Sequence, residues 1–277
     1  YPLVRLELPA TVLLTAPANP MHQLKPRRER SHAFTLIELL TVIAIIGILA
    51  AIIIPTVGTV REKAQRAVDA NSLREILKAA QIYAGDNNDR LPDPQSIPGS
   101  TLSAGSPVYL WAGILAKNNI LTDPSFYFAK NDPLYPATVP TVILTAGVAA
   151  RNQVDPDFGA STLAWEFVGG VKMGDPATTP VAYTRGLQTD GTWNGDSSSS
   201  TVAVYRDTGG FIAFLGGNVN FYPKTSGVFT SNGAGASKPS NLLQAIPFSG
   251  PAANRARAYA VNATILRDSG TPAVQGP

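Results

Sequence analysis

From Phe34 to Ile54 nearly every position is apolar (FTLIELLTVIAIIGILAAIII), and Glu38 is the one charge. At about 1.5 Å per residue such a helix spans roughly 30 Å, the hydrocarbon thickness of a bilayer. The basic stretch KPRRERSH precedes it, which keeps that end cytoplasmic and sends the rest across. The pattern therefore predicts a single-pass membrane protein with an exported C-terminal part. After Pro55 the pattern changes. Val57, Val60, Ala64, Val68, Leu73, Ile76, Leu77, Ala80 and Tyr83 recur every three to four residues, with charged residues between them. This spacing predicts an amphipathic continuation over 55–85 that covers something apolar. Gly85 is the expected C-cap, before the polar turn Asp86-Asn87-Asn88-Asp89. Together the two stretches predict one helix, Thr35–Ala84, of roughly 75 Å.

Beyond residue 86 the apolar runs are short and separated by Gly, Pro and Asn, as in a β-rich head over 86–268. Gly209–Leu215 and Val219–Tyr222 flank Gly216-Gly217-Asn218 and read as a β-hairpin. Val181–Leu187 and Thr201–Tyr205 read as strands, Val108–Leu115 and Asn241–Ile246 as short helices. Val139–Val148 reads as a strand or a buried loop. Ser197–Ser200 is a polar loop. Thr225–Pro239, rich in Gly and Ser, is expected to be mobile, and 269–277 to be a disordered tail. The fold class is α+β: a long N-terminal α-helix, transmembrane and then amphipathic, packed on a small antiparallel β-sheet head.

Composition narrows the chemistry. The 277 residues include no cysteine, and both histidines, His22 and His32, precede the apolar run. A chain that loses its leader then has neither residue, which removes triads built on His and the usual zinc ligand sets. Five basic and two acidic residues precede Phe34, so basic and acidic residues are equal in number from there on. That balance gives no support to nucleic-acid binding. Met21 is the first methionine and the expected start, with an unusually long leader over 1–33 as the alternative.

Glu38 is the costly feature: an acid inside the span costs about 2.5–3.5 kcal/mol on insertion scales. It is either an acid tolerated near the interface or one that needs a positive partner arising later. Pro55 either marks the membrane exit or builds in a kink. Asp86, Asn87, Asn88 and Asp89 offer oxygens to a calcium ion but read first as a turn, since no glutamate follows at loop spacing. Asp190-Gly191 and Asn194-Gly195-Asp196 are turn sequences as well. Glu166 and Asp207 could pair as catalytic carboxylates only if folding brought them together. Trp111, Trp165 and Trp193 read as core or turn-packing residues rather than a carbohydrate platform. No cofactor or metal is expected.

The run Arg30-Ser31-His32-Ala33 followed by Phe34-Thr35-Leu36-Ile37-Glu38-Leu39-Leu40, with Pro55 beyond, resembles the prepilin motif of type IV pilins and type II secretion pseudopilins. The resemblance implies a pilin-like fold and cleavage between Ala33 and Phe34 by a prepilin peptidase, which then N-methylates Phe34. It implies assembly with other pilin-like subunits through Glu38 and Pro55. The family usually has Gly where this chain has Ala33. The resemblance runs over about Arg28–Pro94. The late hairpin is similar to that of pseudopilin-like heads from planctomycetes and verrucomicrobia, except that Gly216 and Asn218 replace an Asp and a His. The implied function is a structural subunit, a pseudopilin or minor pilin. The alternative is a membrane-anchored exported binding protein that does not polymerise; neither is an enzyme.

Overall fold

A computed structural model describes residues 34–95, 107–145, 153–230, 241–247, 256–261 and 263–267. The chain divides into two units, one ending at Ile53 and one beginning at Ile54. Helix α1 (Leu36–Asp86) is followed by α2 (Pro107–Lys117), the one-turn α3 (Pro156–Ala160), and strands β1 (Trp165–Gly169) and β2 (Pro180–Thr184). Next come β3 (Gly210–Phe214), β4 (Val219–Tyr222), β5 (Arg257–Ala260) and β6 (Ala263–Arg267). The α+β class holds: a long apolar N-terminal helix and an antiparallel sheet.

In the second unit the six strands form one sheet in the order β4-β3-β2-β1-β5-β6. All five pairings are antiparallel. β1 to β4 run as a meander, and β5 returns to the free side of β1. Every residue of β1, β2 and β3 is buried, so these strands are covered on both faces. β4 lies at an edge and is buried only at Val219. Trp165 and Phe167 share one face of β1, and the Trp111 ring from α2 stacks on Phe167 with centroids 4.1 Å apart. Trp165 donates its indole N–H to the Phe126 carbonyl at 2.8 Å. Such rings bury large area while the polar tip keeps a partner. Trp193 covers Gly210, where a Cβ would sit 2.5 Å from the indole ring. All three tryptophans are core residues.

The C-terminal part of α1 contributes Ala70, Leu73, Ile76, Leu77, Ala80, Tyr83 and Ala84 to the same core. Val57, Val60, Ala64 and Val68, expected on that buried face, are exposed instead. On a helix of 3.6 residues per turn they form a second stripe, opposite Leu73, Ile76 and Ala80. Gly85 does not cap α1, which continues to Asp86. Asn88 and Asp89 reverse the chain with φ of 55° and 56°. The Asn87 side chain donates to the Tyr83 carbonyl, and the Asp89 amide to that of Ala84.

Three other expectations change. Thr201–Tyr205 is no strand: Val202, Ala203 and Val204 are buried, but the Ala203 amide bonds to the Asn194 carbonyl and its own carbonyl accepts from Arg206. Leu187 lies beyond β2, because Gly186 turns the chain at φ 89° with Ala203 packed against it. Thr225 and Phe229 are anchored and buried, so 225–229 is not a loose loop; Pro239 lies outside the described residues. Val108–Leu115 is helical within α2, and the hairpin forms as β3–β4. Asn241 caps a single 3-10 turn, Leu242–Gln244. From Val139 to Thr145 the chain is a loop with Ile143 and Leu144 buried, and 146–148 lie outside the described residues, as does 269–277.

Candidate functional site

The first unit offers a helix surface. Phe34, Leu36 and Ile37 are 82%, 80% and 71% exposed, and the apolar side chains from Leu39 to Ile54 are exposed also, except the half-buried Ala50. This helix is long and apolar enough to cross a membrane. Ala33 lies outside the described residues; Phe34 is at the start of the described chain, two residues before α1.

The first turn has a specific geometry. The Glu38 amide donates to Thr35 Oγ1 at 3.2 Å. Glu38 Oε2 accepts from the Thr35 amide and from the Thr35 hydroxyl, each at 2.8 Å. Thr35 and Glu38 thus satisfy each other reciprocally as a capping box, and the helix N-terminus favours the negative charge. The sequence TLIE carries this box at the required spacing. Sequence reading weighed Glu38 only as an acid in lipid or awaiting a partner and overlooked Thr35.

Pro55 sits inside α1. It has no amide hydrogen for the carbonyl four residues back, and Gly58 follows with the β-branched Thr56, Val57, Thr59 and Val60. The helix is therefore weakest just after the apolar run. Its next ten residues, 55–64, are all exposed.

Ionisable groups in the head are held by neighbours. Arg185 and Asp132, both buried, form a two-pronged pair at 2.9 and 2.5 Å. The guanidinium also donates to the carbonyls of Val202 and Leu163. Asp93 accepts from Tyr259 Oη and pairs with Arg257 at 3.3 Å. Glu166, in the middle of β1, accepts from the Val261 amide at 3.2 Å. Burial pushes its carboxyl up to about 7, against the opposing pull of that hydrogen bond and of Arg185. Across the ladder stands Tyr183, whose phenol is raised by burial and by the Glu166 charge.

Glu166 is buried in β1, whereas Asp207 is exposed in the 3-10 turn Arg206–Thr208. Among the described residues no cluster of three or more His, Cys, Asp or Glu side chains is placed to hold a metal ion. Asp86 ends α1, and Asn87, Asn88 and Asp89 form the turn that follows.

Residues 28–54 match the family described as the prokaryotic N-terminal methylation motif. The chain is 49% identical over 55 residues to the type IV wide pilus major component of Thermus thermophilus, covering 20% of this chain and 42% of that one. It is 36% identical over 59 residues to the type II secretion system core protein G of Pectobacterium carotovorum, 21% and 38% of the two chains. The same core protein of Pseudomonas aeruginosa is 36% identical over 61 residues, 22% and 43%. The chain thus spans about two fifths of the length of the curated relatives it matches. No solved structure matches it.

Proposed function

Because this chain is pilin- and pseudopilin-like, with an N-terminal methylation motif ahead of a long apolar helix, we propose that it is a structural subunit of a pilus-like filament. It is a pseudopilin or minor pilin of a type II secretion or type IV pilus-like system. The observation that carries this reading is the exposed apolar surface of α1 from Leu36 to Ile54, continued by Val57, Val60, Ala64 and Val68. The first part suits lipid before assembly, and the whole suits helices of like subunits afterwards. Burial of that surface against neighbours is favourable by about 25 cal/mol per Å² wherever it leaves water.

In this reading the leader stays cytoplasmic, the span sits in the inner membrane and the head is exported. A prepilin peptidase cuts between Ala33 and Phe34, and the new Phe34 amine is methylated without losing its charge. Glu38 then exchanges the hydrogen bonds of Thr35 for a neighbouring subunit's ammonium. The exchange requires close geometry, since each charge leaves its solvation behind. Pro55 and Gly58 give the helix a place to adjust as it moves from bilayer to filament.

A second reading, a membrane-anchored exported binding protein that does not polymerise, draws on the Thr35–Glu38 box, which satisfies Glu38 within one chain. Shearing the cells and probing the released fibres with antibody to the head separates the two. A filament subunit is recovered in the fibre fraction. Protein found only in the membrane fraction favours the anchor.

A further inference from the structure

Within the second unit α1 changes from exposed to buried over about one turn. Ala51 to Ala64 are exposed, Gln65 and Arg66 are half-buried, and Asp69 is the first buried residue. At that turn two side chains reach across to the sheet side of the head. Asp69 Oδ2 accepts from the Tyr205 hydroxyl at 2.6 Å, and Oδ1 accepts from the Gln65 amide group at 3.0 Å. The Arg66 guanidinium lies 4.4 Å from the Phe221 ring centre and 5.3 Å from that of Tyr205. It donates to Glu62 at 2.6 Å and reaches Thr208 at 3.4 Å.

The receiving surface is shaped for this. Tyr205, Phe211 and Phe221 pack edge-to-face with centroids 5.1 to 5.7 Å apart. Gly209, at φ 136°, allows the close approach: a Cβ there would sit 2.6 Å from the Tyr222 carbonyl oxygen and 2.7 Å from the Phe221 ring. A charge-assisted hydrogen bond in a buried setting and a cation over two rings are among the stronger non-covalent contacts available to single side chains. N-terminal to them residues 54–64 are exposed, and the helix runs through Pro55-Thr56-Val57-Gly58-Thr59-Val60, which are poor helix formers.

We infer that Arg66 and Asp69, fastened to Phe221 and Tyr205, form a clamp that sets how far α1 can fray toward the head. Opening begins in the Pro55–Val60 stretch and halts at the Gln65–Asp69 turn. The clamp keeps Leu73, Ile76 and Leu77 in the core while the helix before it bends or unwinds. The inference rests on contacts within the head unit and stands whether or not the chain polymerises.

Amide hydrogen exchange on the full chain in detergent micelles, read by mass spectrometry, tests it. In the unaltered protein, amides of 56–64 exchange fast and those from 69 onward slowly. Tyr205→Phe removes one hydrogen bond and little volume, and Arg66→Met removes the cation but keeps the stem. Each should speed exchange of amides 66–73 about ten-fold or more, with the β2 amides 181–184 unchanged. Exchange of 66–73 within two-fold of the unaltered protein in both variants would overturn the clamp. So would equal acceleration in β2, which would mean that the whole head had been weakened, or slow exchange of 56–64 in the unaltered protein.

Discussion

Arg185 grips the Asp132 carboxylate through both Nη atoms while its remaining donors reach the carbonyls of Val202 and Leu163. The pair ties three loops that have no strand of their own to the end of β2. Both side chains are almost fully buried, so neither charge has water to fall back on if its partner is removed.

Removing one member should therefore cost more than removing both. Arg185→Met or Asp132→Leu alone is expected to destabilise the head by about 3–5 kcal/mol, and the double variant by less than either. Urea unfolding of the full chain in micelles, followed by tryptophan fluorescence, gives the three values. Additive losses would show that the pair is not coupled.

Glu166 predicts a pH dependence. Its native carboxyl, near 7, lies above the ordinary value of 4.5, so the folded state favours the protonated form. The stability this contributes is complete below about pH 4.5 and declines as pH rises through 7, where ionisation places a charge inside β1. The difference is worth about 3 kcal/mol. Asp69, raised mainly by burial, slopes the same way, so the comparison must be with a variant. Glu166→Gln should flatten the profile between pH 5 and 8 relative to the unaltered protein. Parallel profiles would assign the slope elsewhere.

Thr35 and Glu38 can be separated by substitution. Thr35→Ala removes the hydroxyl from the capping box and should cost about 1 kcal/mol of helix N-terminal stability. Glu38→Gln keeps the box, because a glutamine oxygen can accept the same bonds, but loses the charge that a neighbour's ammonium would meet. Membrane insertion is expected to survive both changes. Fibre recovery after shearing should fall at least ten-fold in Glu38→Gln and much less in Thr35→Ala. Normal fibres from Glu38→Gln would remove the charge-pairing account of assembly.

How much was legible in the sequence follows from where the signals were local. The helix from 36 onward is written in an unbroken apolar run, and the β3–β4 hairpin in two apolar runs about a Gly-rich turn. The face of α1 was harder. Val57, Val60, Ala64 and Val68 fit a 3.6-residue period as well as Leu73 and Ile76 do, and periodicity alone does not say which stripe the head covers. β1 was missed because Glu166 interrupts its apolar run, and that acid is accommodated by long-range partners, the Val261 amide, Arg185 and Tyr183. β5 was missed because Arg257 looks like a surface residue until Asp93 is placed beside it, 164 positions away. Thr201–Tyr205 misled in the opposite direction: its Val202 and Val204 are β-branched and buried, yet the segment is hydrogen-bonded into turns. At the candidate site the apolar span and Glu38 were legible, whereas the role of Thr35 needed the geometry of the first turn.

The central claim concerns Ala33, Phe34 and the helix that follows them. Mass spectrometry of the N-terminal peptide from membrane-extracted protein tests it most directly. The account predicts a mature chain that begins with N-methylated Phe34. A chain that retains its leader through Ala33 would contradict it.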